Sequence, residues 1–97
     1  MIIVGGIFEV DPAQRDVFLA SRHEAMRTSR AEHGCIDYVF GADPIEPNRV
    51  VLFERWETQA DLDAHLARLR AEGGRPDGVQ PLSASVDMYT AEPLRRD

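Results

Sequence analysis

Lysine is absent from this sequence: all eleven basic residues are arginines. Catalysis through a Schiff-base lysine is therefore excluded. Cys35 is the only cysteine, so the chain has neither an internal disulfide nor a Cys-x-x-Cys metal knuckle, and no sign of an oxidising compartment. The three histidines, His23, His33 and His65, lack metal-ligand spacing, and the carboxylates are scattered. There is no P-loop, no GxGxxG, no GxSxG and no HExxH, so no strong nucleotide, hydrolase or zinc signature is present. Basic charge is also in deficit, 11 residues against 17 acidic ones for a net charge of −6, which gives no attraction to phosphate backbones or anionic lipid. Neither nucleic acid nor a membrane is an expected partner. The apolar opening "MIIVGGIFEV" has no basic flank and is too short to span a bilayer, and it reads as the first strand of a cytoplasmic protein.

What is present is the profile of a folded chain, with 43% hydrophobic and 29% charged residues among 97. That length predicts one domain over 1–97, with a core at 2–90 and a tail at 91–97. A domain of this size buries only roughly 60–65% of its unfolded surface, so self-association is expected.

Residues 2–10 alternate as a strand, with Ile2, Val4, Phe8 and Val10 on one face and Ile3 and Ile7 on the other. "DPAQ" supplies a capping Asp11 and Pro12 at the first helical position, predicting a helix that runs to about Glu32 and is ended by Gly34. "CIDYVFGADP" predicts a second strand with Ile36, Tyr38 and Phe40 on one face and Cys35 and Val39 on the other. "ADPIEPN" is a turn, and "RVVLFERWE" completes a hairpin. Thr58 and Asp61 open a second helix from Gln59 to about Glu72, "EGGRPDGVQP" breaks it, and residues 82–90 form the last strand. The order βαββαβ predicts an α+β ferredoxin-like fold, a four-stranded antiparallel sheet with two helices on one face. Apolar residues on the uncovered face call for a second subunit as cover.

Leu62, His65, Leu66 and Leu69 form one inward helical stripe, so His65 faces the sheet either as a core histidine with one hydrogen bond or as a functional group. Leu52, Glu54 and Trp56 share a strand face, and a buried Glu54 needs a partner, for which an inward His65 or an arginine would serve. Arg22 and Ser29 fall near the middle of the first helix's apolar arc, and His23 lies at its edge. Arg22 either points into a cavity or snorkels to its rim. Tyr38 points into the same space as Trp56 if the strands pair in register. Together these make an apolar pocket with a few converging polar groups, the usual form of a small-molecule site. Cys35 reads as packing rather than as a nucleophile.

"SRAEHGCIDYVFGADP" followed by "VVLFERWETQADLDAHL" resembles the antibiotic biosynthesis monooxygenase domain, with an acidic residue near a Gly-Cys pair, a Tyr, then E-x-W and a helical A-H-L. The resemblance covers most of residues 2–69 and fades after Glu72. It implies a homodimer whose two sheets pack into a barrel, with a cavity in each subunit between sheet and helices. Some members oxygenate aromatic phenols or quinols with O₂ and with no metal or flavin cofactor, because the deprotonated substrate itself reduces O₂. By the resemblance His65 is the candidate base and Arg22 an anion stabiliser; Glu54, as the buried carboxylate on the strand face beside them, is a third catalytic candidate. Trp56 and Tyr38 form the pocket wall, and His23 and Ser29 are further substrate-binding candidates. A haem-degrading branch needs a first-strand Asn and a His beyond the second helix; Asn48 lies in a turn and no histidine follows His65. The implied activity is monooxygenation of a small aromatic, phenolic or quinol-like substrate, beside the alternatives of a non-catalytic ligand-binding dimer or an isomerase-type relative.

Overall fold

The computed structural model describes residues 1–73 and 79–94. The middle of the glycine- and proline-rich break and the end of the tail lie outside the described residues. Four strands, β1 (Ile2–Glu9), β2 (Cys35–Ala42), β3 (Arg49–Trp56) and β4 (Ser83–Thr90), form one antiparallel sheet in the order β2-β3-β1-β4. The helices α1 (Arg15–Ser21), α2 (His23–Arg30) and α3 (Gln59–Ala71) cover one face, completing the ferredoxin-like βαββαβ plan. Among the described residues no helix is long and apolar enough to cross a membrane.

The period-two pattern of β3 sets the core. Val50, Leu52, Glu54 and Trp56 are buried against the helices, while Val51 and Phe53 face outward. Register then builds rows across the inner face. Tyr38, Glu54, Val4 and Met88 form one row, and Phe40, Leu52, Gly6 and Val86 the next. Gly6 is needed where it stands, because a Cβ there would come within 2.9 Å of the Val86 side chain. Phe8, Phe18 and Phe40 meet with ring centroids 5.5–6.1 Å apart. A fully buried aromatic such as Phe18 or Trp56 contributes about 4–6 kcal/mol at ~25 cal/mol per Å², an upper figure before entropy.

Two local expectations are corrected. The first helix is not continuous to Glu32; it breaks at Arg22, where φ and ψ are −99° and −3°. Ser21 Oγ bonds back to the Phe18 carbonyl at 2.6 Å, and the Arg22 guanidinium lies 4.3 Å over the Phe18 ring, both drawing the chain back at the junction. Beyond Arg30 the chain tightens through Ala31 N–H to Thr28 and Glu32 N–H to Ser29 before Gly34 turns it at φ 79°. The second correction is a β-bulge, with Cys35 opposite Trp56 and Asp37 opposite Arg55, so that Ile36 is the extra residue. Alternation is interrupted there. Ile36 turns outward, away from Tyr38 and Phe40, and Cys35 packs against the core. Val10, assigned to the first strand, lies just past β1 and is still buried.

Candidate functional site

A cavity of about 220 Å³ lies between the inner sheet face and the helices. Val4, Tyr38, Phe40, Leu52 and Glu54 supply its floor, and Arg22, Leu62, His65, Leu66 and Leu69 its roof. It opens along β4, where Val86 and Met88 line it yet stay 41% and 51% exposed. A groove of similar size, about 240 Å³, runs outside it past Ser21, Glu24, Thr28, Arg68 and Glu72, with no aromatic wall.

The stripe on α3 delivers His65 to the cavity, 1% exposed. Its ring is flanked by Trp56 at 4.8 Å and Tyr38 at 5.4 Å between centroids. His65 Nδ1 meets Glu32 Oε1 at 2.9 Å, and Arg68, one turn further along α3, donates to the same oxygen at 2.8 Å. Burial works to raise the Glu32 pKa, but the hydrogen bonds and charges of Arg68 and His65 outweigh it and hold the carboxyl below its ordinary value. An ionised Glu32 accepts, so His65 Nδ1 carries the proton of this bond. Nε2 is the ring's other nitrogen, the one a base in this position would use.

Glu54 is 5% exposed, and its partner is neither His65 nor an arginine: Trp56 Nε1 donates to Glu54 Oε1 at 2.9 Å. Two residues apart on one strand face, the indole N–H reaches the carboxyl directly, whereas the Nδ1 of His65 is turned to the end of the α2–β2 connection. Burial raises the Glu54 pKa, the nearby Glu32 charge adds to the rise, and the Trp56 bond and His65 oppose it. Arg22, 4% exposed, also donates to Ser21 Oγ at 3.2 Å.

The remaining expected site residues fall elsewhere. Trp56 is fully buried behind His65 and Glu54 and does not line the cavity; Ser29, also fully buried, lies beside Arg68, whose guanidinium is 3.5 Å from its hydroxyl. His23 is exposed on α2, beside a separate groove with Met26, Arg27 and Arg30. Burial, with Glu54, Glu32 and Asp37 near, pushes the Cys35 thiol up to about 11, so it is no thiolate nucleophile. Glu32 and Arg68 were not singled out from the sequence. The acidic residue before the Gly-Cys pair was the available signal for Glu32, and its distance of 33 residues from His65 hid the pairing.

Two curated proteins show the same likeness along the chain. The Synechocystis protein sll1783 is 39% identical over 64 residues, which is 66% of this chain and 44% of that protein, so the chain spans less than half of that relative. YcnE of Bacillus subtilis, whose name assigns it provisionally to the monooxygenases, is 29% identical over 92 residues, 95% of this chain and 97% of that protein. Among solved structures, PA3566 from Pseudomonas aeruginosa has a TM-score of 0.74 at 19% identity, covering 95% of this chain and 94% of that one. Rv0793 from Mycobacterium tuberculosis has a TM-score of 0.72 at 23% identity, covering 98% and 96%. These two likenesses carry the fold. The profile of the antibiotic biosynthesis monooxygenase family matches residues 1–71, and the chain belongs to that family.

Proposed function

We propose that this protein is a cofactor-independent monooxygenase that uses O₂ on a small phenol or quinol, working as a homodimer. The observation that carries the reading is the Glu32–His65 pair, Nδ1 to Oε1 at 2.9 Å, held in the wall of a cavity that Tyr38, Phe40 and Phe8 also line. His65 takes the hydroxyl proton of the substrate, and the resulting phenolate is electron-rich enough to reduce O₂. Arg22, which also lines the cavity, supplies the positive charge that stabilises negative charge on the oxygenated ring. The cavity sets the size class. At about 220 Å³ it exceeds the ~150 Å³ that holds a benzene and falls below the roughly 300–1,000 Å³ of drug-sized sites, so it takes one or two fused rings.

Oxygen uptake with a naphthohydroquinone in metal-free buffer tests this. The wild-type protein consumes O₂ above the autoxidation background, and His65→Ala loses about 10²–10⁴-fold in kcat. Uptake that is unchanged in His65→Ala removes the base assignment. A naphthoquinone that raises the melting temperature while no hydroquinone is consumed supports a ligand-binding dimer instead.

A further inference from the structure

Glu54 is buried in the cavity floor, yet the salt bridges among the described residues include none to it. Its hydrogen bond to Trp56 engages Oε1, and Glu54 lines the cavity. A carboxylate in that position would be desolvated without a cation in contact, which is costly; a neutral carboxyl group is not. The groups around it act in both directions. From β2 come Cys35 and Tyr38, from α3 His65, from the α1–α2 junction Arg22, and from the α2–β2 connection Glu32. His65 favours the ionised form of Glu54, and Glu32 opposes it.

We propose that Glu54 stands in the cavity as a neutral acid and donates through Oε2 to the ligand oxygen that gains negative charge, while His65 takes the ligand's proton. The site then holds a base and an acid side by side, two titratable groups kept in opposite states by different surroundings. It selects ligands with an oxygen acceptor, such as a quinone or phenol, and disfavours cationic amines.

This assignment rests on the oxygenation reading for its chemical step. His65 removes the phenol proton, and the ring carbon gives two electrons to O₂ as a C–O bond forms, leaving a peroxide anion. Glu54 gives that anion its proton and is reprotonated by the His65 imidazolium. Neutral His65 then takes the proton from the same ring carbon as the O–O bond breaks. The departing hydroxide receives that proton, giving one quinone and one water for each phenol and O₂ consumed. Both side chains end as they began.

Infrared spectroscopy of the whole chain labelled with carbon-isotope glutamate reads carboxyl protonation, and Glu54→Gln assigns the band. We expect a label-sensitive carboxyl C=O band that persists above the ordinary glutamate range of ~4.3 and disappears only at higher pH. The band should be missing in Glu54→Gln. Binding of a naphthoquinone, followed by quenching of the single Trp56, should weaken through the same pH transition in the wild type but not in Glu54→Gln. A carboxyl band that vanishes entirely within the ordinary range, or binding that shows no such transition, overturns the proposal. If hydroquinone drives no O₂ uptake but the band and the binding transition are present, the acid stands and the monooxygenase reading fails. If uptake occurs and the band is absent, the reverse holds.

Discussion

His65 has its geometry through Glu32, and Glu32 has its charge through Arg68, so the proposed base is set by two residues outside the cavity lining. Glu32→Gln keeps a hydrogen-bond acceptor but loses the charge that stabilises an imidazolium. We expect kcat with a hydroquinone to fall roughly 10–100-fold, less than on removing the base, with KM little changed and partial recovery in Glu32→Asp. Steady-state O₂ uptake measures each. The other histidine pair lies on the surface, where His33 Nδ1 meets Asp61 Oδ1 at 2.8 Å. Asp61 holds His33 above its ordinary value, and His33 with Thr58 holds Asp61 below its own. The His33 share of stability is fully present below ~6.5 and is lost as pH rises through its raised folded value; the Asp61 share is present above ~3.9 and is lost as pH falls through its lowered one. Thermal melts of wild type and His33→Gln should therefore differ most between those limits. The difference should close on the alkaline side and shrink with salt, because both groups are screened.

At the scale of elements, the α2–β2 connection and the start of α3 are tied together at Gly34. Its φ of 79° suits glycine, its carbonyl accepts from Glu57 N–H at 2.8 Å, and a methyl group there would overlap the Asp61 carboxylate. Gly34→Ala should cost about 1–2 kcal/mol for the left-handed backbone and about 1 kcal/mol more as the Thr58–Asp61 cap is displaced. A drop in melting temperature on the order of 10 °C follows for a chain of this size, and calorimetry reads it. Such ties show what was legible in the sequence. The apolar stripe Leu62, His65, Leu66, Leu69 and the alternation through Leu52, Glu54 and Trp56 are properties of neighbours along one element, and they placed His65 and Glu54 on the sheet-to-helix interior. The outward turn of Ile36 arises from a bulge against β3, which is not a local property. The break at Arg22 rests on contacts of Ser21 and Arg22 with Phe18, within four residues, which a plain 3.6-residue period does not register. The partner of His65 is hidden because it stands 33 residues away in the chain, whereas the partner of Glu54 is the indole N–H two residues along the same strand face.

Among the described residues of the whole molecule, one sheet face has no helix over it. Val39, Val51 and Phe53 are each 37–39% exposed on that face, and Tyr89 is 56% exposed at its β4 side, with Ile3 and Ile7 between them. These residues lie in adjacent rows of neighbouring strands, so they form a continuous apolar surface rather than scattered single side chains. A second copy presenting the same face would cover it, and a stable pairing buries on the order of 1,200–2,000 Å² in total. The cavity is on the opposite side of the sheet, lined by Tyr38 and Leu52 where the outer face carries Val39, Val51 and Phe53. The proposed pairing face and the cavity face can therefore be separated by substitution. Phe53→Asp places a charge at the centre of the outer face, where pairing two copies would bury two like charges against each other. Sedimentation velocity should give a dimer for the wild-type chain and a monomer for Phe53→Asp at the same concentration. Naphthoquinone binding to the monomer then tells whether each cavity is complete in its own chain: retained affinity places every binding group within one subunit, and lost affinity shows that the open side along β4 is closed by the partner. A wild-type chain that sediments as a monomer would leave the outer face to some other covering.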